Sequence, residues 1–158
     1  MKGLRENLQI FVRRFGLLNA ACCETCCGEE VSMVQSHILF EIRRAGNPSI
    51  QQVADELGID ITTFSRQAKA LDEKGLIKRQ TSSEDKRVSL MQLTAEGKQV
   101  LAQIDKYMSE RIEKIFLQMT PFEQNVVVKA VGLLNEAVEK AGGCCAVEKK
   151  KVACCNQK

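Results

Sequence analysis

Eight cysteines, all in adjacent pairs, are the residues of this 158-residue chain best equipped for chemistry: Cys22-Cys23, Cys26-Cys27, Cys144-Cys145 and Cys154-Cys155. Thiolates are soft ligands, selecting Zn(II), Cd(II), Cu(I), Hg(II) or trivalent arsenic over hard cations. If the first helix continues through them, Cys22 and Cys26 lie one turn apart, as do Cys23 and Cys27, so several sulfurs converge on one patch. Bound thiolates must be deprotonated, and capture therefore releases protons and weakens below neutral pH. His37 is the sole imidazole, and an ordinary place on a helix face explains it better than ligation. Cys23-x-x-Cys26 alone is a weak zinc signal, because closed zinc sites use a second well-spaced pair. Three other readings stay open. Vicinal thiols oxidise or react with electrophiles; small buried thiols extend a helical seam; cysteine-rich ends store metal passively. A thiol-disulfide oxidoreductase would need a strand leading into the motif within a βαβ unit, and none is readable. There is no Ser/His/Asp set, phosphate-cradling Gly loop or pair of catalytic carboxylates, so no catalytic residue is assigned and the chain is not read as an enzyme.

The second group with chemical potential lies between Ser49 and Gly97, and its placement depends on the elements around it. Ser49 and Gln52 form a capping box that starts a short helix with Val53 and Leu57 inward, stopped at Gly58. Asp60 caps a second helix, where Ile61, Phe64, Ala68 and Leu71 make one buried stripe. Its other face presents Thr62, Thr63, Arg66, Gln67 and Lys69, side chains suited to base edges and phosphates in a major groove. Gly75 ends this helix as a left-handed cap. Two extended runs follow, residues 76–79 and 88–93, joined by a polar loop with Asp85, Lys86 and Arg87 at its tip. An Arg there can enter the minor groove while the Asp two residues earlier holds it. The arrangement is a helix-turn-helix followed by a β-hairpin.

The string Leu71-x-x-Lys74-Gly75-Leu76-Ile77-x-Arg79, then Asp85-Lys86-Arg87, then Leu93-Thr94-x-x-Gly97, resembles the winged-helix core of the multiple-antibiotic-resistance-type (MarR) regulators. The resemblance covers roughly residues 4 to 140 in layout. It implies a mainly α fold with a small β-hairpin wing: a winged helix-turn-helix head plus N- and C-terminal dimerisation helices. It further implies a homodimer on a palindromic operator, usually a repressor released by a small inducer. Thr62, Thr63, Arg66 and Gln67 match the recognition helix, and Asp85 and Arg87 match the wing. In such a dimer the terminal helices lie together, bringing the tail cysteines within reach of residues 22–27. Many relatives take aromatic inducers in a cleft; this chain, with 4% aromatic residues and a thiol cluster, departs from that pattern.

The remaining elements frame these two groups. Leu4, Leu8, Phe11, Phe15 and Leu18 form a helical seam suited to a partner helix. Ser32 opens a helix with Val34, Ile38 and Ile42 on one face, closed near Gly46-Asn47-Pro48. Thr94 caps a long helix with Leu101, Ile104, Met108, Ile112, Ile115 and Met119 along it, about 39 Å from Thr94 to Met119. Thr120-Pro121-x-Glu123 restarts a last helix, with Val127, Val131, Leu134 and Val138 inward, ended by Gly142-Gly143. The expected organisation is an N-terminal dimerisation helix with the cysteine cluster (1–30), a winged-helix region (31–97), long dimerisation helices (98–142) and a cysteine-rich tail (143–158). The net charge of +3 is modest, but positions 66, 69, 74, 78, 79, 86 and 87 concentrate basic residues where DNA would lie. No signal peptide or membrane span is readable, which places the protein in the cytoplasm. The expected function is a homodimeric DNA-binding regulator, a repressor, on a pseudo-palindromic double-stranded operator. A thiophilic ion or metalloid, trivalent arsenic first, controls it by preferring the DNA-free state by several kcal/mol.

Overall fold

The computed structural model describes residues 2–16, 31–83 and 85–142. Among these, six helices and one hairpin follow in the order α1 (Lys2–Arg14), α2 (Met33–Ala45), α3 (Ile50–Glu56), α4 (Ile61–Glu73), β1 (Ile77–Thr81), β2 (Ser89–Leu93), α5 (Ala95–Phe116) and α6 (Pro121–Lys140). Capping residues set most of the starts. Ser32, Ser49 and Thr120 each form a reciprocal capping box, with Gln35, Gln52 and Glu123 respectively, and Pro121 opens the first turn of α6. Each box satisfies two backbone donors that a helix start otherwise leaves without partners.

One core joins α2, α3, α4, the hairpin and the first turns of α5. Phe64, Ile38, Leu39, Leu71 and Met91 are fully buried, with Val31 at one end of the sequence range and Leu101 at the other. The strands pair antiparallel, Ile77 with Leu93, Arg79 with Met91 and Thr81 with Ser89. The Met91 N–H donates to the Pro48 carbonyl at 2.9 Å, which stitches the hairpin to the segment before α3. Ion pairs from Arg43 to Asp105 and from Arg44 to Glu56 tie α2 to α5 and α3, and Arg44 also pairs with Glu41 within α2.

Several expectations need adjusting. Both strands start one residue later than expected, β1 because Leu76 still belongs to the turn out of α4, where its N–H donates to the Leu71 carbonyl at 3.0 Å. Ile61 and Val34 are exposed, at 43% and 40%, since each lies at the rim of its helix stripe. The α5 stripe is buried only at its start, Val100 and Leu101, because only that end meets the core; Ile112 and Ile115 are exposed and the helix stops at Phe116. In α6 no residue is buried, and Val131, Leu134 and Val138, expected inward, are 52%, 41% and 49% exposed. Leu4, Leu8 and Phe11 of α1 are likewise open. Apolar seams of this size left to water are the mark of a surface that another chain covers.

α1 ends at Arg14, and Gly16 follows at φ +81°, outside helical geometry. Cys22, Cys23, Cys26, Cys27, Cys144, Cys145, Cys154 and Cys155, with Leu18 and Gly143, lie outside the described residues. Among those described, no group of three or more His, Cys, Asp or Glu is placed to hold a metal ion, and no helix is long and apolar enough to cross a membrane.

Candidate nucleic-acid interface

α4 is fixed from both ends and from below, leaving its upper face to solvent. At its start Asp60 Oδ1 accepts the N–H groups of Thr62 and Thr63 at 3.1 and 2.9 Å. The Thr63 hydroxyl and its backbone N–H, followed by the Thr62 N–H and the nearby Arg66 charge, hold the Asp60 carboxyl below its ordinary pKa. Phe64, Ala68 and Leu71 anchor the helix in the core, and at its end Gly75 takes φ +71°.

On the outer face Thr62, Thr63, Arg66 and Lys69 are exposed, as expected. Lys69 makes an open i,i+4 pair with Glu73 at 3.5 Å, weak enough in water to yield to a phosphate. Gln67 is placed differently from the other four. It is half-buried at the edge of the face, and its Oε1 accepts from Nε2 of Gln35, a buried residue of α2, at 3.2 Å.

The wing tip is a tight turn built by Asp85. Its Oδ1 accepts the Arg87 N–H at 2.8 Å, while the Val88 N–H donates to the Asp85 carbonyl at 2.9 Å. The expected hold of Asp85 on Arg87 is thus exerted through the backbone, and Asp85, Lys86 and Arg87 are all exposed. Arg79, at the wing base, points back to Asp72 of α4 at 3.6 Å. Its Nε and Nη2 are buried without a hydrogen bond, so attraction between charges joins wing and helix there.

The run Leu93-Thr94-x-x-Gly97 has a physical reason here. Thr94 Oγ1 accepts the Gly97 N–H at 3.0 Å and donates to the Gly75 carbonyl at 2.6 Å, linking the cap of α5 to the end of α4. Gly97 passes so close to the residue before β1 that an added Cβ would sit 1.9 Å from the Leu76 carbonyl oxygen. One participant, Gln35, was missed by sequence reasoning. Gln35 had a readable signal, its place three residues after Ser32; the reach of its other end to Gln67, 32 positions away, had none.

Comparison with known proteins agrees with this geometry. The MarR family model matches residues 31–89. The HTH-type transcriptional regulator YxaD of Bacillus subtilis (strain 168) is 31% identical over 134 residues, covering 85% of this chain and 92% of that protein. Among solved structures, Streptococcus pneumoniae FabT in complex with DNA superposes with a TM-score of 0.78 at 23% identity, covering 89% of this chain and 98% of that one. The PcaV regulator of Streptomyces coelicolor with its natural ligand gives 0.61 at 21% identity, over 80% and 90% of the two chains. With α4 and the wing placed as in a winged helix and a relative matched over nearly its whole length, the chain belongs to the MarR family, whose members are dimeric DNA-binding transcriptional regulators rather than enzymes.

Proposed function

We propose that this protein is a homodimeric repressor of the cytoplasm whose hold on a pseudo-palindromic operator is controlled by a thiophilic metal ion or metalloid, trivalent arsenic first. Thr62, Thr63, Arg66, Gln67 and Lys69 read the major groove, and Asp85, Lys86 and Arg87 place the wing in the adjoining minor groove. The exposure of that polar face over a fully buried Phe64-Ala68-Leu71 stripe supports the DNA reading. The open apolar seams of α1 and α6 support the dimer. A two-fold pair sets its recognition helices about one DNA turn apart, roughly 34 Å.

A single observation carries the choice of signal: the eight cysteines form four adjacent pairs, all outside residues 28–143 and so outside the DNA-reading head. A head that folds on apolar packing has no structural use for them there. Capture of a soft ion by Cys22, Cys23, Cys26 and Cys27, completed by Cys144, Cys145, Cys154 and Cys155, draws the terminal helices into a spacing the operator no longer fits. Cd(II), Hg(II), Cu(I) and Zn(II) are the other ions of matching softness.

The test is fluorescence anisotropy of the reduced dimer on DNA from its own upstream region, titrated with arsenite, Cd(II), Zn(II) and peroxide. A variant with Cys22, Cys23, Cys26 and Cys27 changed to Ser runs alongside. Release by near-stoichiometric ion in the wild type alone supports the proposal. Release by peroxide under chelation replaces it with a redox sensor, and an equal response of the variant removes the cysteines from the signal.

A further inference from the structure

Gln35 has both ends of its amide committed. Its Oε1 accepts the Ser32 N–H at 3.2 Å, closing the capping box of α2, and its Nε2 donates to Gln67 Oε1, also at 3.2 Å. The polarity follows from chemistry. A backbone N–H only donates, so the end of Gln35 facing Ser32 must be the carbonyl, and the end facing α4 must be the NH2 group. Gln67 then has to meet that donor with its own carbonyl. Gln35 is 7% exposed, too buried for water to take over either role.

We infer that Gln35 is a specificity-determining positioning residue: through this relay it turns the Gln67 carbonyl inward and leaves Gln67 facing the DNA as a donor only. This rests on α4 being the DNA-reading helix, as proposed above. A free glutamine reads adenine by using both ends, accepting from N6 and donating to N7. With its oxygen turned toward α2, Gln67 offers only its NH2 group. Guanine, with N7 and O6 as adjacent acceptors, is the base that fits it.

Gln35→Glu inverts the relay without removing the capping box, since Glu is an equally good residue at that position. The carboxylate accepts the Ser32 N–H and, at its other oxygen, an N–H of Gln67, so the Gln67 amide flips and presents its carbonyl to the groove. That acceptor suits the amino groups of adenine or cytosine.

The experiment is binding selection of the full-length protein from a randomised duplex library, followed by sequencing, for wild type, Gln35→Glu, Gln67→Met and Arg66→Ala. Wild type is expected to favour guanine at one position per half-site by about fivefold, the worth of one net hydrogen bond. Gln35→Glu moves that preference to adenine or cytosine with the other positions unchanged, and Gln67→Met flattens it. If thermal melting shows Gln35→Glu to be poorly folded, Gln67→Glu makes the same inversion, because a carboxylate only accepts. A wild-type profile in both the inverting variant and Gln67→Met, with binding weakened by Arg66→Ala, overturns the relay and leaves the DNA-reading helix standing. If Arg66→Ala changes neither affinity nor profile, the reading of α4 falls and the relay with it.

Discussion

Asp60 holds the first turn of α4 with a charge as well as an oxygen. Its folded pKa lies below the unfolded value, chiefly through the Thr63 hydroxyl and N–H, so its contribution to stability is complete above the ordinary carboxylate pKa of about 4. That contribution is lost as pH falls through the lower, folded value. Asp60→Asn keeps a cap oxygen but not the charge, so it is expected to lie somewhat below wild type at neutral pH and to flatten the acid side of the stability curve, the two converging at low pH. Urea unfolding at a series of pH values checks this, and an unchanged acid slope would assign the effect to other carboxylates. Gly97 belongs to the same scale. Its Cβ-free approach to the Leu76 carbonyl leaves no room for Ala, since the obstacle at 1.9 Å is backbone and not a movable side chain. Gly97→Ala should cost about 3 kcal/mol, in the upper range for overpacking, and denaturant unfolding would register it as a lower midpoint.

At the level of elements, helix starts and hairpin position were legible because they rest on local chemistry. Ser49 with Gln52, Asp60, Gly75, and Thr120 with Pro121 and Glu123 all act where the spacing said. What spacing cannot give is which side of an amphipathic helix a second chain will cover. That is why Val131, Leu134 and Val138 read as inward yet lie open in one chain. Nor does it give contacts between distant segments: Gln35 with Gln67, Arg79 with Asp72 and Thr94 with Gly75 join residues far apart or facing one another only after folding. The wing is a hairpin stiffened at its tip by Asp85, with Arg87 exposed beyond it. Arg87→Ala is expected to weaken operator binding about tenfold and to lower the salt dependence by roughly one phosphate contact. Anisotropy titrations at several salt concentrations measure both; equal loss at every salt concentration would mean that Arg87 makes no ionic contact.

For the whole molecule, the buried core runs from Val31 to Leu101 and includes no residue of α6. With α6 as the proposed dimer seam, dimerisation and folding of the head are separable. Val131→Glu with Leu134→Glu should yield a monomer by analytical ultracentrifugation with far-UV helicity of the head retained. Operator affinity should drop by at least about a hundredfold, because the second half-site is no longer tethered. A variant that stays dimeric would place the interface elsewhere. The joint at Thr94 and Gly97 gives the molecule a mechanical character. α5 is a rod of 22 residues, about 33 Å long, clamped at one end to the turn after α4 and to the wing base. Such a clamp lets the rod act as a lever arm: a tilt of about 10° at its far end swings the head through about 6 Å, close to two base-pair rises. With that gain, a change too small to disturb the packing between subunits is large enough to put the two heads out of phase with the double helix.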